Sequence, residues 1–328
     1  MNKFQEALTN ANKIAIFSHI NPDADALCSS FALKNIIRNN FEYKFVDVFV
    51  DGELGELYDP ILRNEVINPV PYASYDLAVV LDCPNTSRIG KFDEMLKNIP
   101  FVINLDHHST NTRFGQINYV SDKISSTCEL VFLLAKKCGL ELNNTIAKEL
   151  YQGIITDTNC FTSLSLARSS HRVLDELLGY KFNADLIKEY YFKNNTKAKT
   201  KLLAKTLNTI KYYKNGTIAI MEIPYSDFEK CGATFEDTLG IVDQGANIEG
   251  VKVSAILIEK EPEKVYVSLR GKGEIPVGEI AKHFGGGGNE IQAAFQFQGP
   301  LKDISKSFTD FIKGEVSPQK DEDSIKLF

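Results

Sequence analysis

The sequence predicts an α/β protein, with an N-terminal doubly wound, mostly parallel sheet and a smaller C-terminal α/β domain built on a mixed sheet. Three observations carry this prediction. Short, wholly apolar runs of strand length alternate with helix-periodic stretches through the first half of the chain. Several of those runs stop at a polar residue, where open parallel sheets gather their ligands. Past a polar, lysine-rich stretch the character changes to strands of a second sheet, and 328 residues suit two domains better than one.

Taken in order, Lys13 to Ser18 (KIAIFS) is an apolar run ending at His19, as a buried parallel strand should be. Ala24 to Arg38 follows with helical spacing at Ala26, Leu27, Ser30, Leu33, Ile36 and Ile37. Lys44 to Val50, Asp76 to Leu81 and Phe101 to Leu105 are further strands. Thr127 to Lys137, Thr145 to Ile155 and Arg168 to Tyr180 are helical. Lys188 to Lys205 (KEYYFKNNTKAKTKLLAK) is expected to be a connecting helix or hinge, which sets domains at 1–187 and 209–328 with a linker at 188–208. Thr217 to Ile223, Val251 to Glu259 and Lys264 to Arg270 then form the second sheet, and Pro276 to Phe284 is a helix. The run Gly285 to Gly288 leads into a helix or turn near Glu290 to Ala294, and the charged tail from Ser317 is expected to fray.

Bulk properties narrow the function. Apolar content of 43% and charged content of 24% are those of a soluble globular enzyme. A net charge of −6 argues against a broad phosphate-tracking face, and so against duplex DNA as a partner, while a short anionic substrate held by local basic groups stays compatible. The six cysteines show no CxxC spacing and suit free thiols in a reducing cytosol. No stretch approaches the length of a membrane span, and MNKFQEALTNANK lacks an apolar signal core, so a cytoplasmic protein without a membrane partner is expected.

Five segments carry residues that bind hard cations: HINPDADA (19–26), VVLDCPNTS (79–87), NLDHHSTN (104–111), SSTCE (125–129) and GIITDTNCF (153–161). Between them they hold His19, Asp23, Asp25, Asp82, Asp106, His107, His108 and Asp157. Two divalent ions about 3.5–4 Å apart take this mix of carboxylate and imidazole, with one carboxylate bridging. Several of these segments also have an ordinary explanation. Asp23 and Asp25 could be a helix N-cap and a first-turn acid. Asp82 could cap a loop, although a carboxylate at the end of so apolar a run needs a partner. Asp157 alone reads as a helix stop. The triplet Asp106-His107-His108 is the sharpest signal: adjacent histidines at a strand end point to different sides, and Asp106 can orient an imidazole.

The order HINPDADA, LDCPN, DHH and GIITDTNCF resembles the DHH phosphoesterase superfamily. SLRGKG (268–273) and FGGGGN (284–289) are similar to the C-terminal substrate domain associated with it. The pairing and length are most similar to the nanoRNase/pAp phosphatase subfamily. That resemblance implies a manganese-dependent, two-metal phosphoesterase that acts on short single-stranded oligonucleotides and on nucleoside 3′,5′-bisphosphate. It implies His19 and Asp23 as ligands of one ion, Asp25, His107 and Asp157 as ligands of the other, and Asp82 as the bridge. His108 is then expected to face the scissile phosphate, Arg88 to be a basic group on the phosphate side, and Ser268, Arg270 and the glycines 285 to 288 to hold the nucleotide end. In this chain Asn289 stands where the family's glycine run usually ends in histidine.

The neighbouring functions are a phosphodiesterase of cyclic or linear dinucleotides, a RecJ-like single-strand exonuclease, a family II inorganic pyrophosphatase and a catalytically inactive nucleotide-binding regulator. SLRG with GGGGN argues against the pyrophosphatase, size and acidity against the exonuclease, and the full ligand set against the inactive regulator. Oligomeric state, a homodimer included, stays open at this level.

Overall fold

Five parallel strands form the first sheet: β1 (Lys13–Phe17), β2 (Phe45–Phe49), β3 (Leu77–Leu81), β4 (Val102–Asp106) and β5 (Ile117–Val120), in the spatial order β2-β1-β3-β4-β5. The structure is a computed structural model and describes residues 3–62, 65–161, 168–272, 275–288 and 290–315. The chain divides into two compact units, Met1–Asn194 and Asn195–Phe328.

In the first unit, residues alternate between two buried faces along the central strands β1, β3 and β4. Ile14 and Ile16 of β1, with Val79, Leu81, Ile103 and Leu105, pack beneath one layer of helices; Ala15, Phe17, Ala78 and Val80 face the other way. Burial on both sides explains why β3 (LAVVL) has no polar residue. The helices are α1 (Lys3–Asn10), α2 (Ala24–Asn40), α3 (Asp59–Leu62), α4 (Asp93–Lys97), α5 (Thr127–Lys137), α6 (Asn144–Asp157), α7 (Arg168–Leu178) and α8 (Ala184–Phe192). α2, α5 and α6 pack on one another over the first face, and Leu96 and Ile99, in and just after α4, cover the second. After β1 the chain steps outward to β2 and returns to β3 on the opposite side. The strand order therefore reverses between β1 and β3, the place where such sheets open a crevice at their carboxyl ends.

The second unit opens with α9 (Lys197–Leu207) and contains β6 (Lys211–Tyr213), β7 (Ile218–Ile223), α10 (Tyr225–Cys231), α11 (Ile241–Ala246), β8 (Val253–Glu261), β9 (Lys264–Gly271), α12 (Val277–His283), β10 (Gly287–Gly288), β11 (Gln292–Gln298) and α13 (Leu301–Glu315). Its six-stranded sheet runs β10-β11-β9-β8-β7-β6 and is mixed: β7 and β8 are parallel and the other pairs antiparallel. Ile218, Ile220, Val265, Val267 and Leu269 lie on the side of α12 and α13. Met221, Ile223, Ile256 and Ile258 lie with Leu202 of α9 and Ile241 and Val242 of α11.

One local expectation needs correction. The segment near Glu290 to Ala294 is neither a helix nor a plain turn, because Gln292 begins β11 and its alternating Ala293 and Phe295 are buried against β9. In the lysine-rich stretch expected to be a connecting helix or hinge, α8 ends at Phe192 and α9 starts at Lys197 with Thr196 as its N-cap, and the unit boundary falls between them.

Candidate metal centre

The carboxyl ends of β1, β3 and β4 present His19, Asp82 and Asp106-His107-His108 side by side. Asp23 and Asp25 arrive at the start of α2, and Asp157 at the last residue of α6. Their donor atoms form three overlapping groups, each with its atoms within 4.8 Å of one another: His19 with Asp23 and Asp82, Asp25 with His107 and Asp157, and Asp82 with His107 and His108. Asp82 stands between the other residues. Its Oδ2 is 3.7 Å from His19 Nε2, and its Oδ1 is 3.4 Å from His107 Nε2. It adopts a left-handed backbone (φ 55°), which Asp tolerates better than most residues and which turns the side chain at the end of β3.

Surrounding bonds fix the orientation of these groups. His19 Nδ1 donates to the Ile20 carbonyl (2.9 Å), so Nε2 is the bare nitrogen that faces Asp23 and Asp82. His108 Nδ1 donates to Asp106 Oδ1 (2.7 Å), which leaves its Nε2 free. Asp106 is fully buried and also accepts from the His107 backbone N–H (2.9 Å) and from Asn111 Nδ2 (2.6 Å). Asn111 further donates to the Cys83 carbonyl (3.1 Å), tying the two loops together. The helix-cap explanation of Asp23 is also true: its Oδ1 accepts from Ala26 N–H (3.0 Å). Asp25 accepts from the Thr127 N–H (2.6 Å) and the Cys128 N–H (3.0 Å), the first amides of α5, and Thr127 Oγ1 donates to Asp82 Oδ1 (3.0 Å).

The electrostatics are those of an acid cluster short of positive charge. Burial, then the charges of Asp82 and Asp157, pushes Asp25 well above the usual carboxylate range. Burial, with Asp23 and Asp82, pushes Asp157 up to about 7 against the pull of His107. For Asp82, burial acts upward, but the His107 hydrogen bond and the charges of His107, His108 and His19 outweigh it and hold the group below its ordinary value. Burial would lower His107, yet Asp82, Asp157 and Asp25 raise it well above the usual imidazole value. His108 is likewise raised, with Asp106 opposing the effect of burial. Four carboxylates and three imidazoles around one small space form a donor set suited to divalent cations, which would relieve this repulsion directly.

The remaining residues expected at the site fall elsewhere. The Arg88 carbonyl accepts from Ile20 N–H beside His19 (2.6 Å), but its side chain is exposed and makes no hydrogen bond or ion pair among the described residues. In the second unit Arg270 Nε donates to Asp243 Oδ1 (2.7 Å), and its Nη1 to the Leu269 carbonyl (3.1 Å) and Ser268 Oγ (3.4 Å). Two glycines of the run have a packing role: a Cβ on Gly286 or Gly288 would come within 2.2 Å of a carbonyl of β11, whereas one on Gly287 meets nothing. Asn289 lies outside the described residues. His283 is stacked on Phe311 (centroids 4.7 Å apart), so it is engaged by α13.

Comparison with known proteins agrees with the motif order. Residues 13–154 match the DHH family, N-terminal domain, and residues 215–314 match the DHHA1 domain. A curated protein of Streptococcus mutans, named as a probable bifunctional oligoribonuclease and PAP phosphatase NrnA, is 30% identical over 278 residues, covering 85% of this chain and 87% of that protein.

The chain belongs to the DHH family of phosphoesterases.

A second DHH relative, the bifunctional oligoribonuclease and PAP phosphatase NrnA of Thermus thermophilus, is 31% identical over 87% of this chain and 84% of its own length. Among solved structures, an exopolyphosphatase-related protein from Bacteroides fragilis superposes with a TM-score of 0.88 at 27% identity, covering 95% of each chain. Both sheets described above thus belong to a recurrent DHH–DHHA1 architecture. Thr127 and Asn111 were not singled out from the sequence. Each lies inside a motif segment, but only the fold brings it to its carboxylate.

Proposed function

We propose that this DHH-family phosphoesterase hydrolyses short single-stranded oligoribonucleotides and nucleoside 3′,5′-bisphosphates, using two divalent ions, manganese foremost. The observation that carries the proposal is Asp82, whose two oxygens face two separate donor groups, His19 with Asp23 and His107 with Asp25 and Asp157. The names of the relatives in Streptococcus mutans and Thermus thermophilus support the substrate class.

Bound at these donors, divalent ions supply Lewis-acid polarisation of the phosphoryl group and neutralise developing charge. The chain's own residues do the rest. His19, Asp23 and Asp82 would hold one ion, and Asp25, His107 and Asp157, with Asp82, would hold the other. Asp106 holds His108 through Nδ1, and in the imidazolium form, which Asp106 and Asp82 favour, His108 would present Nε2–H to a phosphate oxygen or leaving group as a hydrogen-bond donor. Ser268, Arg270 and the exposed backbone at Gly287 are the groups we assign to the remote end of the substrate.

A panel of labelled two- to ten-nucleotide RNAs, 3′,5′-adenosine bisphosphate and a cyclic dinucleotide, each assayed with manganese, magnesium and zinc, tests this. The expected result is fastest turnover of the shortest linear RNAs and of the bisphosphate with manganese. Turnover confined to the cyclic dinucleotide, or equal without added metal, overturns it.

A further inference from the structure

We infer that Thr127 is a positioning residue of the metal centre, whose hydroxyl orients the shared carboxylate of Asp82 and thereby sets metal affinity. The inference rests on the proposed bridging role of Asp82 and deepens it.

Thr127 is fully buried at the first position of α5, and Ser126, the N-cap, accepts from Glu129 N–H (3.1 Å) to start the helix there. From that one residue two different groups reach two different ligands. The backbone N–H donates to Asp25 at 2.6 Å, and Oγ1 donates to Asp82 Oδ1 at 3.0 Å. Asp25 comes from α2 and Asp82 from the end of β3, so the start of α5 couples carboxylates from two otherwise separate segments. The free N–H groups of a helix N-terminus also favour the negative charge gathered there.

The hydroxyl matters because a carboxylate that serves two cations must hold a defined plane. Asp82 has its Oδ1 on the side of His107 and His108 and its Oδ2 on the side of His19. A donated hydrogen bond occupies one lone pair of Oδ1 and leaves the other directed away from Thr127. The carboxylate is then prevented from turning freely about its Cβ–Cγ bond. A β-branched residue suits the task, because its restricted χ1 holds Oγ1 in place. Partners of this kind typically change metal affinity by about 10–100-fold when removed.

The experiment compares Thr127→Val, which keeps the shape and the backbone N–H to Asp25 but deletes the hydroxyl, with Thr127→Ser, which keeps the hydroxyl. Manganese binding to the metal-free full chain is measured by calorimetry and by the spin-resonance signal of free manganese. Turnover is then followed as a function of manganese concentration. The expected result is a dissociation constant raised about tenfold or more in Thr127→Val, with turnover recovering at saturating manganese and Thr127→Ser close to wild type. Unchanged affinity in Thr127→Val overturns the inference, and so does an equal loss in Thr127→Ser, which would assign the effect to packing. If Thr127→Val does not fold, Thr127→Ala removes the same hydroxyl without a new contact and is read in the same way. Asp82→Ala separates the two levels: if it keeps both metals, the bridging role itself fails, whereas metal loss there with none in Thr127→Val refutes only the role of Thr127.

Discussion

His107 and His108 are adjacent, with rings 4.5 Å apart, yet their surroundings give them different work. His107 Nε2 faces Asp82 and Asp157, whereas His108 turns its Nδ1 to the buried Asp106. His107→Ala should therefore lose bound metal together with activity, while His108→Ala should lose rate by about 10²–10⁴-fold and keep most of its metal. Metal content per chain and turnover with excess manganese check this, and equal metal loss in both removes the distinction. The charge balance gives a pH prediction for the chelated protein. Asp157 rises from an ordinary 3.8 to about 7, and His107 lies well above 6.5, so the folded state binds protons that the unfolded state releases. Stability from both groups is present at low pH and falls as pH rises, through pH 4 to 7 for Asp157 and onward for His107. Bound cations replace those protons, so the rise in Tm on adding manganese should grow between pH 5.5 and 8; thermal scans measure it, and a shift independent of pH contradicts it. The convergence of His19, Asp82 and the Asp-His-His triplet was legible because each follows an apolar run that could only be a buried strand. Thr127 was not: a threonine opening a helix is ordinary, and its carboxylate partner is 45 residues away.

At the scale of elements, α6 shows how a helix is placed to deliver a proposed ligand. Gly153 lies in its interior, where glycine costs roughly 1 kcal/mol relative to alanine. An added Cβ there would meet Cys128 Sγ at 2.2 Å and Asp25 Oδ1 at 2.9 Å, so the glycine permits α6 to approach α5 and α2 and brings Asp157 in with it. Two effects compete in Gly153→Ala: a helix gain of about 1 kcal/mol and an overpacking cost of about 1–3 kcal/mol. With one neighbour a proposed metal-site carboxylate and the other fully buried, the cost should win. The expected outcome is a lower Tm and weaker manganese binding, and a raised Tm with unchanged binding contradicts it. The parallel strands and long helices of the first unit were legible from apolar runs and helical spacing. β5 (INYV) and β6 (KYY) were not, being short edge strands without buried faces of their own. The alternation in β11 (QAAFQFQ) is plain once its partner β9 is known, but beside four glycines it reads as a loop.

For the whole molecule, all the proposed ligands lie in the first unit, and Ser268, Arg270 and the glycine run lie in the second. We expect chemistry and substrate choice to separate accordingly. Arg270 already uses Nε and Nη1 on Asp243 and its own strand, which holds the guanidinium while leaving Nη2 to a ligand. Losing one charge-assisted bond of about 1.5–3 kcal/mol should lower kcat/KM for nucleotides about ten- to a hundred-fold in Arg270→Ala. Hydrolysis of bis-p-nitrophenyl phosphate, a small ester, should stay near wild type. Equal loss on both substrates assigns Arg270 to folding or to the metal centre instead. The net charge of −6 suits such a division, since cations bound locally can attract an anion without a basic exterior. No helix among the described residues is long and apolar enough to cross a membrane. The proposed donor set would also impose an order on biogenesis. It begins at His19 and is complete only at Asp157, the last residue of α6. A growing polypeptide has the His19, Asp23 and Asp82 group on hand long before the second group exists, and domains fold as they emerge from the ribosome. On the proposed two-metal reading, full metal loading would wait until α6 has docked, and chains stalled before residue 157 should release manganese readily to a chelator.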